Sequence, residues 1–213
     1  MALTVPPPRS PIDGGLARWY EHELGWATAA GPPVQLVTGL RFDVLELPAA
    51  AGRGVLRRMG AAVGPVALMG RRMRLLVAAG SAEELPGLLD WLEWGGISLD
   101  LAMLGTDGRM TAPVPPGRRS AGRSGSGPPE AAVWLRAPEP GREVEPSLPA
   151  LRPSLRGRAA AEADAPCLVR LVATAAAECH RVRLLSAAAR GRRPEPEAGA
   201  AAQQRGAQRF ASS

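Results

Sequence analysis

Three acidic residues are the candidates for catalytic chemistry in this sequence. Asp43 and Glu46 lie in the apolar run FDVLEL, and Asp100 lies in the later run ISLDLAM. Two carboxylates on one face of a strand can hold Mg²⁺ or Mn²⁺ against nucleotide phosphates, and strand side chains alternate between faces, so a spacing of two is required. Asp43 and Glu46 are three apart, and Leu45 stands two after Asp43. The spacing predicts that Asp43 and Glu46 point to opposite faces of the sheet. Asp43 and Asp100 remain as a weak alternative pair of metal-binding carboxylates.

Arginines form a second candidate set, for phosphate contacts. The chain carries a net charge of +6, and residues 116–213 hold sixteen Arg against nine acids. A basic hairpin can grip a nucleic-acid backbone, whereas an exposed turn in an Arg-rich protein is the simpler interpretation. Basic residues near a helix C-terminus also suit the helix dipole. The nucleic-acid candidates are Arg71, Arg72 and Arg74 at the predicted hairpin, and Arg181, Arg183, Arg190, Arg192 and Arg193 near the C-terminus.

The remaining reactive or aromatic residues give weaker signals. Trp91 and Trp94 flank the leucine stripe of a predicted helix. They are interpreted either as the edge of the core or as an exposed surface for a partner. Two cysteines, Cys167 and Cys179, do not make a disulfide scaffold, and with His180 they fall short of four zinc ligands. We therefore expect no metal and no cofactor, with Mg²⁺ or Mn²⁺ only if the carboxylates are catalytic. Without a signal peptide or membrane span, we expect a soluble cytoplasmic protein.

The elements that must position these residues can be predicted from hydrophobic periodicity. Alternating or continuous apolar runs predict strands, and Leu85, Leu88 and Leu92 recur at helical spacing. Ser81 and Glu84 have the spacing of a capping box, but Pro86 favours a helix that begins nearer Glu84. The order strand, helix, strand, strand, helix, strand predicts an α+β, ferredoxin-like βαββαβ antiparallel sheet. Its strands are expected at 41–47, 65–69, 73–79 and 97–103, and its first helix at about 52–62.

The flanking segments complete the predicted organisation. A short amphipathic helix over 14–25 precedes the sheet, and a second amphipathic helix over 164–190 follows it. Trp134 is the one apolar anchor in the Pro/Gly/Arg-rich stretch between them, and Gly52–Arg53–Gly54 is a weak candidate for a phosphate loop before a helix. The predicted boundaries are 1–13 disordered, 14–115 α+β domain, 116–163 linker, 164–190 helix and 191–213 disordered tail.

The phrases FDVLELPAAAG, GPVALMG, MRLLVAAGSAEELPGLLDWLEWGG and APVPPG occur in this order. With the helix before them, they make the stretch from Trp19 to Pro116 similar to the N-terminal domain of actinobacterial bifunctional DNA primase/polymerase proteins. That domain belongs to the archaeo-eukaryotic primase superfamily. The resemblance implies a ferredoxin-like unit, and active members of the family use a D-x-D or D-x-E pair, a downstream His and a further Asp. Here Leu45 replaces the second carboxylate, and 73–79 contains no His.

The resemblance and its departures together predict a role in binding. We expect a non-catalytic, primase/polymerase-like protein that binds DNA through its basic tail, or a protein partner or second copy through the 164–190 helix. Its role would be regulatory or accessory, with differentiation or secondary metabolism as the setting. The alternative is residual metal-dependent nucleotidyltransferase activity that uses Asp43, Glu46 or Asp100.

Overall fold

The computed structural model describes residues 11–117, 131–151 and 166–191. The chain divides into two compact units, residues 1–181 and 182–213, and the described part of the second is the end of the last helix. The helices are α1 Pro11–Glu23, α2 Ala49–Met59, α3 Ser81–Trp91 and α4 Leu168–Gly191. The strands are β1 Thr28–Ala29, β2 Gln35–Val37, β3 Phe42–Pro48, β4 Val66–Met69, β5 Arg72–Ala78, β6 Ala102–Leu104, β7 Arg109–Thr111 and β8 Ala132–Arg136.

The larger sheet confirms the predicted fold class. Its five strands lie in the order β6-β3-β5-β4-β8, and every neighbouring pair is antiparallel. The segment from β3 to β6 runs β3-α2-β4-β5-α3-β6, which is the split βαβ arrangement. Strand β8 extends this ferredoxin-like sheet by one strand at the β4 edge.

Both helices of the ferredoxin-like unit cover the same face of the sheet. Leu47 of β3 pairs with Met73 of β5, and Asp43 pairs with Val77, so these side chains share a face. Gly52 of α2 lies directly against the Met73 side chain. The first turn of α3 is hydrogen-bonded to the Asp43 carboxylate. The helices therefore pack as the sequence predicts.

The opposite face carries the aromatic core. Tyr20 and Leu24 of α1, together with Trp26, pack against Phe42 and Val44 of β3. A small antiparallel sheet of order β1-β2-β7 lies in the same cluster and contributes buried residues from β2 and β7. This second sheet is not predictable from hydrophobic patterns, because strands of two or three residues are too short to show periodicity.

Helix α3 begins earlier than predicted. It starts at Ser81 rather than near Glu84, and Pro86 lies inside it. The expected capping box is also absent. The residue that precedes the helix is Gly80, in the left-handed region, and glycine has no side chain that could bond the helix N-terminus. The backbone N–H of Ala82 instead donates to Asp43 Oδ2 at 2.9 Å. A carboxylate from another strand thus replaces the local cap.

The last strand of the unit is shorter than predicted. Only Ala102–Leu104 pairs with β3, although Leu99 and Leu101 are half-buried while Ser98 and Asp100 are exposed, as the alternation requires. The run before it turns rather than extends after Gly95 and Gly96. Alternating burial therefore arises here without strand pairing.

Residues 131–151, inside the segment interpreted as a linker, belong to the folded unit. They form β8 and a short 3-10 helix, Glu145–Ser147. Trp134 of β8 packs against the aromatic core, and Val144 and Leu148 are buried in it. At the N-terminus, α1 begins at Pro11, so the expected disorder of 1–13 does not extend to its last residues. The remaining residues 1–10, 118–130, 152–165 and 192–213 lie outside the described part.

Helix α4 uses the predicted apolar stripe. Leu168, Leu171, Val172 and Ala175 are fully buried, and Cys179 is nearly so. The N-terminal part of the helix is therefore part of the folded unit. Glu178 is also buried, although an acidic residue is expected on the polar side of an amphipathic helix.

Glu178 is only 2% exposed, because Gly54 of α2 has no side chain to keep the carboxylate out. Its oxygens pair with Arg58 of α2 at 2.8 Å and with Arg181 at 2.7 Å. The pair with Arg58 joins α4 to α2, whereas Arg181 lies on α4 itself and holds the carboxylate within its own helix. Residues 52–54, expected as a loop, lie inside α2 and accommodate these contacts.

Candidate functional site

Asp43 is the most buried of the three candidate carboxylates. Strand β3 turns its side chain toward the helices, where Oδ2 accepts the hydrogen bond from Ala82. The side chain is completely buried, and Oδ1 has no hydrogen-bond partner among the described residues. A negative charge at the N-terminus of α3 is favoured by the helix dipole. The carboxylate is therefore occupied in capping a helix.

Burial raises the pKa of the Asp43 carboxyl above its ordinary value near 3.8. The negative charge of nearby Glu83 acts in the same direction, whereas the hydrogen bonds from the first turn of α3 lower the pKa. The loss of water is the largest of these effects, and it favours the neutral form of the carboxyl.

Glu46 lies on the opposite face of the sheet and is bound by arginines. Its two oxygens accept from Arg72 Nε at 3.1 Å and from Arg74 Nε at 2.7 Å. Arg74 is its direct cross-strand partner on β5. Both guanidinium groups are largely buried against the sheet. Glu46 is thus the centre of a closed ionic cluster.

Asp100 belongs to the same cluster rather than to Asp43. Its Oδ1 accepts from Arg72 Nη1 at 2.6 Å, and its side chain is 67% exposed. The bond to Asp100 is also one reason that the pKa of Arg72 is raised, although burial opposes this rise. Two arginines therefore face two carboxylates, and the cluster is neutral.

The structure thus divides the candidate carboxylates between the two faces of the sheet. Asp43 contacts α3 on one face, while Glu46 and Asp100 share Arg72 on the other. The acidic residue that lies near Asp43 is Glu83, whose exposed side chain accepts from Thr106. Sequence reasoning missed Glu83 because it lies in a helix, 40 positions after Asp43 along the chain.

The described residues contain no group of three or more His, Cys, Asp or Glu side chains that could hold a metal ion. Cys179 is buried, and its thiol donates weakly to the Asp100 carbonyl at 3.6 Å. Burial raises the pKa of this thiol to about 12, so it stays protonated and a poor nucleophile. The neighbouring His180 lies edge-on to Trp94 at 5.6 Å between ring centroids.

The candidate arginines fall into groups with different surroundings. Arg72 and Arg74 are held by carboxylates in the hairpin cluster, and Arg181 is held by Glu178. Arg71 and Arg190 are exposed. Arg183 is also exposed on α4. Arg192 and Arg193 lie outside the described residues.

The two candidate tryptophans differ in exposure. Trp94 is half-buried against His180, as a residue at the core edge would be. Trp91 is 72% exposed, the highest value among the large apolar side chains that the structure describes. Leu184 and Leu185 of α4 are 57% and 58% exposed. Exposed apolar groups of this size are typical of binding surfaces.

The fold and these sites define a small α+β protein with an extended ferredoxin-like sheet whose acidic candidates are engaged in structural contacts. Comparison of the chain with protein-family profiles, curated proteins and solved structures gave no match. Among the described residues, no helix has the length and apolarity needed to cross a membrane.

Proposed function

We propose that this protein is a non-catalytic relative of primase/polymerase domains that acts by binding a protein partner, in a regulatory or accessory role. The observation that carries the proposal is the engagement of all three candidate carboxylates. Asp43 caps α3, while Glu46 and Asp100 are neutralised by arginines. Two metal ions need several free carboxylate oxygens directed to one point, and these three are divided between two faces.

A protein partner is better supported than DNA. Three of the candidate phosphate-binding arginines already face carboxylates, which lowers the positive potential available to a nucleic-acid backbone. Exposed Trp91, Leu184 and Leu185 instead offer apolar area, which contributes to binding proteins and not to contacts with phosphates. Free thiols at Cys167 and Cys179 are compatible with a cytoplasmic setting, which is part of this proposal.

The test of the non-catalytic proposal is a calorimetric titration with Mn²⁺ and a nucleoside triphosphate. We expect no saturable binding to the full chain. Asp43→Asn is the informative variant, because asparagine keeps an oxygen for the Ala82 N–H but cannot hold a metal as a carboxylate does. Asp107→Asn, at an exposed turn, is the matched control. Saturable binding that Asp43→Asn abolishes and Asp107→Asn retains would overturn the proposal in favour of residual nucleotidyltransferase chemistry.

The DNA alternative is tested with a mobility shift at physiological salt. The full chain is compared with a chain that ends at Gly191 and so lacks Arg192 and Arg193, but keeps every described element. We expect no retained complex in either case. A complex formed by the full chain and lost from the shorter one would replace the protein partner with DNA. A complex retained by both would assign DNA binding to the folded part.

A further inference from the structure

Helix α3 presents an exposed face centred on Gly87. Successive helical residues are rotated by about 100°, which places Glu83 and Glu84 one turn before Gly87 and Asp90 and Trp91 one turn after it. All five are exposed, while the opposite side of α3 buries its leucines in the core. We call Glu83, Glu84, Gly87, Asp90 and Trp91 the Trp91 face.

Gly87 gives this face a shallow notch. A Cβ built at Gly87 meets no atom of the described residues within 4 Å, so the position is open to them, and the indole of Trp91 is 72% exposed beside it. Glycine in a helix interior is unfavourable relative to other residues, and here packing within the chain does not require it. The notch allows a planar group to approach the Trp91 ring from the side of Glu84.

The Trp91 face is strongly acidic in a basic protein. No basic residue occurs between Arg74 and Arg109, a stretch that contains six acidic residues, whereas the whole chain has a charge of +6. A flat guanidinium group stacked on an indole and paired with a carboxylate matches both the charge and the shape of this surface. The Trp91 face therefore favours an arginine side chain as the group that it binds.

The same chain carries the complementary surface. Residues 182–191 of α4 contain Arg183 and Arg190 and no acidic residue, and they expose Leu184 and Leu185. The segment thus offers positive charge where the Trp91 face offers negative charge, while its two leucines lie on a different side of the helix from Arg190. All the basic residues of the protein are arginine, the cation that suits an indole best.

We propose that the Trp91 face docks a second copy of this chain through the Arg190-bearing end of α4. The inference rests on the proposed binding role and names the partner. Arg190 stacks on Trp91 beside Glu84. The charges of the two surfaces are opposite, so association weakens as salt screens them.

The test is sedimentation velocity of the full chain over a wide range of concentration and salt. We expect a reversible dimer that weakens with ionic strength. Trp91→Ala is expected to raise the dissociation constant by about tenfold or more, as loss of a central aromatic anchor does. Leu40→Ala is the matched control, because Leu40 is also strongly exposed but lies before β3. It is expected to leave the dissociation constant unchanged.

Three further single variants and one double variant separate docking from folding. Gly87→Gln fills the notch, so it is expected to raise the melting temperature and yet weaken the dimer. Glu84→Arg and Arg190→Glu are each expected to weaken association, and their combination in one chain is expected to restore it.

A wild-type chain that stays monomeric at every concentration would refute the docking inference, while the proposed function would still be judged by the Mn²⁺ and nucleotide titration. Equal effects of Trp91→Ala and Leu40→Ala, or no rescue in the charge-reversed double variant, would refute it too.

Discussion

At the scale of single residues, Asp43 is a candidate catalytic carboxylate whose contacts in the structure are purely structural. The side chain is buried, bonds the first turn of α3 through one oxygen and leaves the other without a partner among the described residues. The charged form loses its water, and the hydrogen bonds of the helix compensate only in part. The residue is stabilising mainly as an acceptor for the helix N-terminus.

Replacing Asp43 separates its role as an acceptor from its charge. Asp43→Ala is expected to lower the free energy of unfolding by about 1–2 kcal/mol, the usual effect of losing a helix cap. Asp43→Asn keeps an acceptor for Ala82 and is expected to lose less than half of that. Urea unfolding at neutral pH measures both. Equal losses in the two variants would contradict a capping role.

The pKa of Asp43 also gives stability a pH dependence of defined sign. The pKa is raised in the folded chain, so the folded state holds the proton more tightly than the unfolded state does. Its contribution is fully present below the ordinary pKa near 3.8 and is lost as pH rises through the higher folded value. The unfolding free energy of the wild type minus that of Asp43→Asn is therefore expected to fall from acid to neutral pH. Urea titrations at several pH values measure it, and a rise would contradict this assignment.

Tyr20 is a second residue whose polar group lies deep in the core. Its hydroxyl donates to the Pro113 carbonyl at 2.6 Å and accepts from Trp134 Nε1 at 2.8 Å. Burial raises the pKa of this phenol, although the bond from Trp134 opposes the rise, so it stays protonated over the working pH range. One hydroxyl thus joins α1, the end of the small sheet and β8.

Tyr20→Phe is expected to destabilise the protein by about 1–3 kcal/mol, because it leaves a buried carbonyl and a buried indole N–H without a partner. The free energy of unfolding measures the loss. In a double-mutant cycle with Trp134→Phe, the two effects are expected to be less than additive. Strict additivity would show that the hydroxyl and the indole do not act together.

At the scale of elements, the contact between α2 and α4 depends on the absence of a side chain. A Cβ at Gly54 would stand 2.1 Å from Glu178 Oε2, in the space that the buried carboxylate fills. The carboxylate is held there by Arg58 and Arg181. A shift of α4 along α2 would separate Glu178 from Arg58 and leave the buried carboxylate with its partner on α4 alone.

Gly54→Ala tests this docking against ordinary helix propensity. Alanine in a helix interior normally stabilises by about 0.8–1 kcal/mol relative to glycine. At Gly54 the sign is expected to reverse, with a loss of stability on thermal unfolding. Gly87→Ala, where the added carbon meets open space, is the matched control and is expected to stabilise. The same sign in both variants would contradict the docking geometry.

At the scale of the whole molecule, the folded unit needs segments that are far apart in the sequence. Strand β8 covers the β4 edge of the sheet, and Trp134, Val144 and Leu148 complete the aromatic core. The chain then continues to Ala150, whose carbonyl accepts from Leu168 at the start of α4. The ferredoxin-like unit alone therefore leaves apolar surface and a strand edge uncovered.

A chain that ends at residue 115 is accordingly expected not to fold cooperatively. It loses the three core residues of the 131–151 segment and the buried stripe of α4, and each large side chain contributes about 1.5–3 kcal/mol by burial. That total is comparable to the whole stability of a typical domain, about 5–15 kcal/mol. A chain ending at Gly191 is expected to unfold like the full protein. Circular dichroism during thermal unfolding measures both, and a cooperative transition in the shorter chain would contradict this prediction.

The sequence by itself determined the ferredoxin-like unit, because its three longer strands, of four to seven residues, and its amphipathic helices are visible as periodic patterns in the chain. It also determined that Asp43 and Glu46 point to opposite faces, since alternation along a strand is local geometry. The buried stripe of α4 is of the same kind. These features depend on the spacing of neighbouring residues.

Only the tertiary structure decided what these groups contact. Asp43 caps a helix 39 residues away, and Glu178 fills the space left by Gly54. Glu46 and Asp100 are neutralised by Arg72 and Arg74. Strand β8 joined the sheet from a segment whose composition favours a linker. Pairings between distant residues leave no periodic pattern in one chain, and they decide whether a carboxylate is free to do chemistry or is bound by the fold.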